Sequence, residues 1–105
     1  MQQVDDSNFI EQVIGSKVPV LVKATAPWCA PCRAMQPGLE QAAEHLGSGV
    51  KVVELNIDKS PVTYARLRSP SIPTLFLYRN GREITRHTGA VGMVWILKFV
   101  AQHLA

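Results

Sequence analysis

The stretch that decides the fold of this chain is Ala26-Pro27-Trp28-Cys29-Ala30-Pro31-Cys32-Arg33, residues 26–33, which stands between a β-like apolar run and a helix-like segment. Cys29 and Cys32 are the only two cysteines among the 105 residues. Their i, i+3 spacing puts both sulfurs on one face of a helix. A disulfide between them would close only a tiny loop and stabilise the chain little through entropy, so chemistry explains the pair better than structure does.

The composition is that of one compact domain over residues 1–105. Hydrophobic residues make up 47% of the chain, enough for a sizeable core, and the formal net charge is +3. The lysines and arginines are scattered, and no interleaved aromatic pattern accompanies them. This distribution argues against nucleic-acid binding and leaves a solvated surface or acidic partner proteins as the interpretation.

The N-terminal residues 1–6 are polar and acidic, unlike a secretory signal, and no apolar stretch is long enough to span a membrane. We therefore expect a soluble cytoplasmic protein, and we expect it to be a monomer. In the cytoplasm a C-x-x-C pair serves redox or metal chemistry more often than structure.

Hydrophobic spacing predicts the element order α-β-α-β-α-β-β-α. The predicted helices are a short one capped by Ser7 and ended by Gly15, then residues 29–46 and 61–67, and a last helix with Val94, Leu97, Ala101 and Leu104 on its buried side. The predicted strands are residues 19–24, 50–57, 74–78 and 83–88.

Two local signals and the element order together define the architecture. Asn80-Gly81 predicts a tight hairpin turn, so the last strand should run antiparallel to the one before it. Pro37 lies inside the predicted helix 29–46 and should kink it. The earlier βαβ units predict parallel strands with right-handed crossovers. We therefore predict an α/β fold, a three-layer α/β/α sandwich with a mixed central sheet.

Nearly the whole chain resembles the thioredoxin family. The residues that carry the resemblance are Trp28-Cys29-Ala30-Pro31-Cys32-Arg33, Pro37, Leu55-Asn56-Ile57-Asp58, Ser71-Ile72-Pro73-Thr74, Asn80-Gly81 and Gly89-Ala90. One C-x-x-C would be weak support, but these segments in this order and at this spacing are strong support. The chain looks like an atypical bacterial-type thioredoxin with a C-A-P-C active site.

The resemblance implies the thioredoxin fold and a protein-disulfide reductase that needs no cofactor beyond a redox-active Cys29–Cys32 disulfide. Cys29 would attack a substrate disulfide, and Cys32 would resolve the mixed disulfide. Pro73 would be a cis proline facing the cysteines, and Ile72 would offer backbone hydrogen bonds to a bound substrate strand. The substrates would be protein disulfides, and an NADPH-dependent thioredoxin reductase would regenerate the dithiol.

The residues around the cysteines predict a substrate surface. We expect Cys29 to be exposed and Cys32 to be sheltered, with Trp28 as an exposed lid rather than a buried aromatic. Pro31 restricts the loop between the sulfurs, and Ala30 stands where a glycine is usual and should stiffen that loop. Gly89 is either a turn glycine or a residue of the substrate groove, and both interpretations can hold.

Lys23 and Glu54 depart from the family pattern. Thioredoxins usually carry a buried aspartate at the position of Lys23 and often a lysine at the position of Glu54, so the two charges are exchanged here. If they face each other on neighbouring strands, they form an inverted ion pair beneath the active site; otherwise Lys23 extends its ammonium to the surface. The pair would make the protein a weaker reductant than its relatives, and Glu54 would accept the proton of Cys32.

Two other function classes stay open at this point. The chain could be a thioredoxin-fold binding module in which the cysteines are incidental. It could also be a metal or iron–sulfur carrier, although no second C-x-x-C exists and His45, His87 and His103 do not cluster with the motif in sequence.

Overall fold

The computed structural model describes residues 1–105 as a mixed five-stranded sheet between two helical layers. The strands are β1 (Gln2–Val4), β2 (Val20–Thr25), β3 (Lys51–Asn56), β4 (Thr74–Arg79) and β5 (Arg82–Thr88). The helices are α1 (Ala30–Leu46), α2 (Pro61–Leu67) and α3 (Met93–Leu104), and a short helical segment covers Ile10–Ile14. The strand order is β1-β3-β2-β4-β5. β1, β3 and β2 are mutually parallel, whereas β4 is antiparallel to both β2 and β5.

The central strand β2 is buried on both faces, as its nearly continuous apolar sequence predicts. Val20, Val22 and Ala24 point into the core shared with the Ile10–Ile14 segment and α2, whereas Leu21 points into the core beneath α1 and α3. Successive side chains alternate between the faces of a strand. The charged residue that follows Leu21 by two positions, Lys23, therefore lies beneath α1. The predicted three-layer sandwich with a mixed sheet is confirmed.

β1 was absent from the predicted element order. It contributes one buried side chain, Val4, which is 2% exposed, and it pairs in parallel with β3. Gln2 and Gln3 are exposed and give the strand no apolar alternation. A strand that is held mainly by backbone pairing with a neighbour leaves little trace in hydrophobic spacing, which explains why it was missed.

Ser7 does not cap the first helix, which corrects the prediction. Its backbone N–H donates to Asp5 Oδ1 at 2.8 Å, and the helical segment proper begins at Ile10. Gly15 ends that segment as predicted, with its N–H donating to the Ile10 carbonyl at 2.8 Å. The residue before Ser7, Asp6, instead caps α2, accepting from the N–H groups of Thr63 at 2.7 Å and Val62 at 3.2 Å. The hydrogen bonds from Thr63 are the largest cause that lowers the Asp6 pKa below 3.8.

The buried face of α3 differs from the predicted one. Ile96, Phe99 and Val100 are buried, Leu97 and Leu104 are partly buried, and Val94 and Ala101 are exposed. Apolar residues occupy almost every side of this helix, so hydrophobic spacing alone did not single out one face. The other predicted helices and strands match the observed ones to within two residues, and Asn80 (φ 55°) and Gly81 (φ 78°) form the predicted hairpin turn.

Candidate active site

The two cysteines lie at the N-terminus of α1 and are joined in a disulfide. Cys29 is the N-cap residue, and its Sγ accepts a hydrogen bond from the Cys32 N–H at 3.2 Å. Proline at the first turn suits a helix start, since it lacks an N–H that would have no partner there. The free N–H groups of the helix end stabilise negative charge. When the disulfide is reduced, a thiolate at Cys29 lies where these groups favour it.

Cys29 is less exposed than predicted. It is 6% exposed and Cys32 is 1% exposed, so both are buried in the oxidised protein. Ala26, Ile57 and Ile72 pack around the two sulfurs and cover them. The predicted difference between the cysteines appears instead in the surface groove, which Cys29 lines and Cys32 does not.

The groove beside Cys29 is mainly apolar and has a volume of about 480 Å³. Its lining consists of Trp28, Cys29, Ala30, Pro31, Ile57, Tyr64, Ser71 and Ile72. Trp28 is 65% exposed, and its indole N–H donates to Asp58 Oδ2 at 2.8 Å. The indole is thus held in place while its ring remains available to a bound segment.

The Ile72–Pro73 peptide bond is cis, as the resemblance implies. Neither the N–H nor the carbonyl of Ile72 has a hydrogen-bond partner within the protein. Gly89 donates its N–H to the Pro73 carbonyl at 2.9 Å and has a φ of 118°, a conformation that glycine adopts readily. Gly89 therefore acts as a turn glycine that braces Pro73, although it does not line the groove itself.

A network of hydroxyl groups, not predicted from the sequence, holds the loop before Pro73. Thr74 Oγ1 donates to the Ser71 carbonyl at 2.7 Å and also lies 3.0 Å from Thr88 Oγ1. Ser69 Oγ lies 3.0 Å from the same Thr74 hydroxyl. Thr74 is fully buried. Its hydroxyl therefore connects the two ends of the loop that presents Ile72 to the groove.

Lys23 and Glu54 face each other on neighbouring strands, as predicted. They are paired in register between β2 and β3, and Lys23 Nζ lies 3.9 Å from Glu54 Oε2. Lys23 is 1% exposed, so its ammonium does not extend to the surface. Burial lowers the pKa of Lys23 below 10.5, and the charge of Glu54 opposes part of that change. The sequence predicted the pair but not the groups that surround it.

Two glutamines complete the polar cluster around this pair. Lys23 Nζ donates to Gln36 Oε1 at 2.7 Å and to the carbonyl of Cys32 at 2.9 Å. Gln36 Nε2 donates in turn to Glu54 Oε1 at 3.1 Å, and Gln3 Nε2 donates to the same oxygen at 3.3 Å. The only sequence signal for this cluster was a polar residue, Gln36, one turn beyond Cys32 on the same helix.

A second cavity, of about 290 Å³, reaches Cys32 and shares no lining residue with the groove at Cys29. Its lining consists of Gln3, Lys23, Thr25, Ala26, Pro27, Cys32, Arg33, Gln36, Glu54 and Asn56. Most of these residues are polar. Cys32 is thus bordered by a polar cavity, whereas Cys29 borders an apolar groove.

No group of three or more His, Cys, Asp or Glu side chains is arranged so that it could hold a metal ion. None of the helices combines the length and the apolar character that crossing a membrane requires.

Comparison with known proteins gives matches over most of the chain. The family model described as Thioredoxin matches residues 1–102. "Thioredoxin" of Haemophilus influenzae is 35% identical over 101 residues, which are 96% of this chain and 94% of that protein. "Thioredoxin 1" of Nostoc sp. is 37% identical over 102 residues, or 97% and 95% of the two chains. "Thioredoxin" of Pyropia yezoensis is 41% identical over 91 residues, or 87% and 85%.

Proposed function

Because the chain belongs to the thioredoxin family, we propose that Cys29 is the attacking thiol and Cys32 the resolving thiol of its redox centre. The protein is a thiol–disulfide oxidoreductase that reduces protein disulfides through the Cys29–Cys32 pair. The observation that carries the division of roles is the groove, which Cys29 lines and Cys32 does not. The family match also favours this chemistry over a metal carrier or a binding module with incidental cysteines.

The proposed reaction has two exchange steps. In the reduced protein the Cys29 thiolate attacks one sulfur of a substrate disulfide, forms a mixed disulfide and releases the other substrate sulfur as a thiolate. The Cys32 thiolate then attacks Cys29 Sγ, which closes the protein disulfide and releases the second substrate thiolate. Two electrons pass from the protein dithiol to the substrate, and each released thiolate takes up a proton.

The groove supports binding of an extended substrate segment. The free N–H and carbonyl of Ile72 can pair with the backbone of such a segment, in the manner of an added strand. Trp28, Ala30 and Pro31 offer apolar contacts on the other side of Cys29. Pro73 and Gly89 contribute by holding Ile72 in place. On this basis the substrate-binding set consists of Trp28, Ala30, Pro31 and Ile72 as contacting residues, with Pro73 and Gly89 as the residues that hold Ile72.

The family and the surface support proposals about recycling, oligomeric state and compartment. We propose that an NADPH-dependent thioredoxin reductase returns electrons to the Cys29–Cys32 disulfide. We propose a monomer, since Arg82, Glu83 and Arg86 place charges along the edge strand β5 and such charges discourage pairing between sheets. A dithiol reductant of this kind fits the reducing cytoplasm.

Trapping of the mixed disulfide tests the proposed division of roles. With Cys32→Ser the second step is removed, so a peptide disulfide should accumulate on the protein in a 1:1 adduct. Tryptic digestion and mass spectrometry should find the adduct on Cys29. Cys29→Ser is the matched control and should trap little peptide, since Cys32 is buried away from the groove. Trapping by Cys29→Ser but not by Cys32→Ser would overturn the assignment.

The charge of Lys23 should set the reduction potential. A cation near Cys32 stabilises the thiolate of the reduced protein, although Glu54 offsets part of this effect. Lys23→Asp should therefore make the potential more negative by about 30 mV, which corresponds to about 1.4 kcal/mol for a two-electron couple. Redox titration against glutathione measures the change, and Lys98→Asp on the exposed side of α3 controls for net charge. A more oxidising Lys23→Asp protein would refute the role of Lys23.

Glu54 is the proposed proton acceptor for Cys32. It is 8% exposed, borders the same polar cavity as Cys32 and is joined to it through Gln36 and Lys23. No aspartate stands on β2, where the relatives usually carry one. The exchange of charges therefore moves the carboxylate from β2 to β3 but keeps it on the border of the polar cavity that reaches Cys32.

A further inference from the structure

The side-chain amide of Gln36 lies between the two exchanged charges. Its oxygen accepts from the Lys23 ammonium at 2.7 Å, and its NH₂ group donates to Glu54 Oε1 at 3.1 Å. An amide in this orientation satisfies a buried cation and a buried anion at once. We propose that Gln36 is a positioning residue that holds the Lys23 ammonium against the Cys32 carbonyl and thereby speeds the attack of Cys32 on the mixed disulfide.

The hydrogen bonds of Lys23 support this role. Its ammonium has three donors, and two of them go to Gln36 Oε1 and to the Cys32 carbonyl at 2.9 Å. The contact with Glu54 Oε2, at 3.9 Å, is too long for a hydrogen bond. The ammonium is therefore bound directly to the helix that carries the cysteines and only electrostatically to its charge partner.

Without the amide, Lys23 and Glu54 would be expected to pair directly. They occupy register-matched positions on adjacent strands, and a charge pair excluded from water is stable only with close contact and satisfied hydrogen bonds. Glu54 Oε2 accepts no hydrogen bond from the protein at present. Movement of the ammonium toward this oxygen would draw it away from the Cys32 carbonyl.

The hydrogen bond to the Cys32 carbonyl positions the backbone that carries the attacking sulfur of the second exchange step. It belongs to the first turn of α1, and Pro37, farther along the helix, has no N–H to bond the neighbouring Arg33 carbonyl. The Lys23 ammonium supplies a donor from the sheet to this part of the helix. Displacement of a reacting group by about 1 Å can slow a reaction about 10²-fold. Loss of the donor should therefore affect the resolving step.

Rapid mixing can separate the two steps. The reduced protein is mixed with a synthetic peptide that contains one disulfide, quenched in acid at successive times and analysed by mass spectrometry. Gln36→Met removes the amide while keeping similar volume, and we expect the mixed disulfide to persist about tenfold longer. The rate of its formation, measured in the Cys32→Ser background, should change less than about twofold because Gln36 does not line the groove at Cys29. Gln41→Met, at an exposed position of α1, is the matched control.

A double variant separates positioning from a general structural effect. If Gln36 acts through Lys23, adding Gln36→Met to Lys23→Met should not lengthen the mixed disulfide further, since coupled sites are not additive. If Gln36→Met does not fold, as judged by thermal unfolding, Gln36→Ala takes its place. Resolution at the wild-type rate, an equal loss in the first step, or full additivity with Lys23→Met would each overturn the inference.

The inference about Gln36 rests on the proposed roles of Cys29 and Cys32. The experiment distinguishes a failure of the inference from a failure of those roles. If the Cys32→Ser protein forms no adduct at Cys29, the proposed roles fail. If that adduct forms and Gln36→Met resolves at the wild-type rate, the roles stand and only the inference about Gln36 fails.

Discussion

Replacing Cys29 with serine should slow the reduction of protein disulfides by about 10⁴-fold or more, the scale seen when an enzyme loses its nucleophile. Serine has nearly the same shape as cysteine, but its hydroxyl is far less acidic and cannot form a disulfide. The first exchange step therefore has no attacking group. Cys32 is 1% exposed and does not line the substrate groove, so it should not replace Cys29 as the attacking thiol.

Insulin reduction with dithiothreitol as the electron donor measures this effect. The rate with Cys29→Ser should equal the rate with dithiothreitol alone. Ala34→Ser, at an exposed position of the same helix, adds a hydroxyl near the site and should retain the wild-type rate. A Cys29→Ser protein with a tenth of the wild-type activity would show that another group starts the reaction, and it would overturn the assignment of Cys29 as the attacking thiol.

The order of the elements could be predicted because their signals are local. The apolar run of β2, the Asn80-Gly81 turn and the cysteines before a helical pattern each depend on neighbours within a few residues. β1 lacked such a signal, because its pairing with β3 is made by the backbone and only Val4 is buried. The buried face of α3 also depended on partners distant in sequence.

The candidate site also combines features that the sequence could predict with features that depend on contacts between distant parts of the chain. The pairing of Lys23 with Glu54 followed from their places on two predicted strands, and the cis bond at Pro73 followed from the family motif. Gln36 was missed because a polar residue on a helix ordinarily faces solvent. It bridges Lys23 and Glu54 only because α1 packs over β2 and β3 in the folded protein. The low exposure of Cys29 was missed because Ile57 and Ile72 reach it from other parts of the chain.

Lys23→Met should destabilise the folded protein by about 3 kcal/mol at pH 7, the usual cost of removing one member of a buried ion pair. The substitution keeps the apolar stem but leaves the Glu54 carboxylate, 8% exposed, without its cation. Urea unfolding measures the change. Adding Glu54→Gln removes the unpaired charge and keeps a group that can bond Gln36, so the double variant should recover to within about 1 kcal/mol of wild type.

The pH dependence gives a second test of the same ion pair. Burial lowers the Lys23 pKa below 10.5 in the folded protein, so in the window between that lowered pKa and 10.5 the unfolded chain binds more protons. Stability therefore rises with pH across this window, because the cost of burying the ammonium disappears as Lys23 loses its proton. In Lys23→Met this rise should be absent.

Tyr78 works in the opposite direction and must be separated from Lys23. Burial raises the Tyr78 pKa from 10.0 to about 12, so the folded state keeps a proton that the unfolded state loses, and stability falls as the pH rises above 10.0. Because Tyr78 is present in both proteins, its contribution cancels when the free energy of unfolding of Lys23→Met is subtracted from that of wild type. The difference should grow with pH in favour of wild type up to about 10.5, the ordinary lysine pKa. A difference that stays flat would mean that Lys23 has an ordinary pKa and that burial does not disfavour its charge.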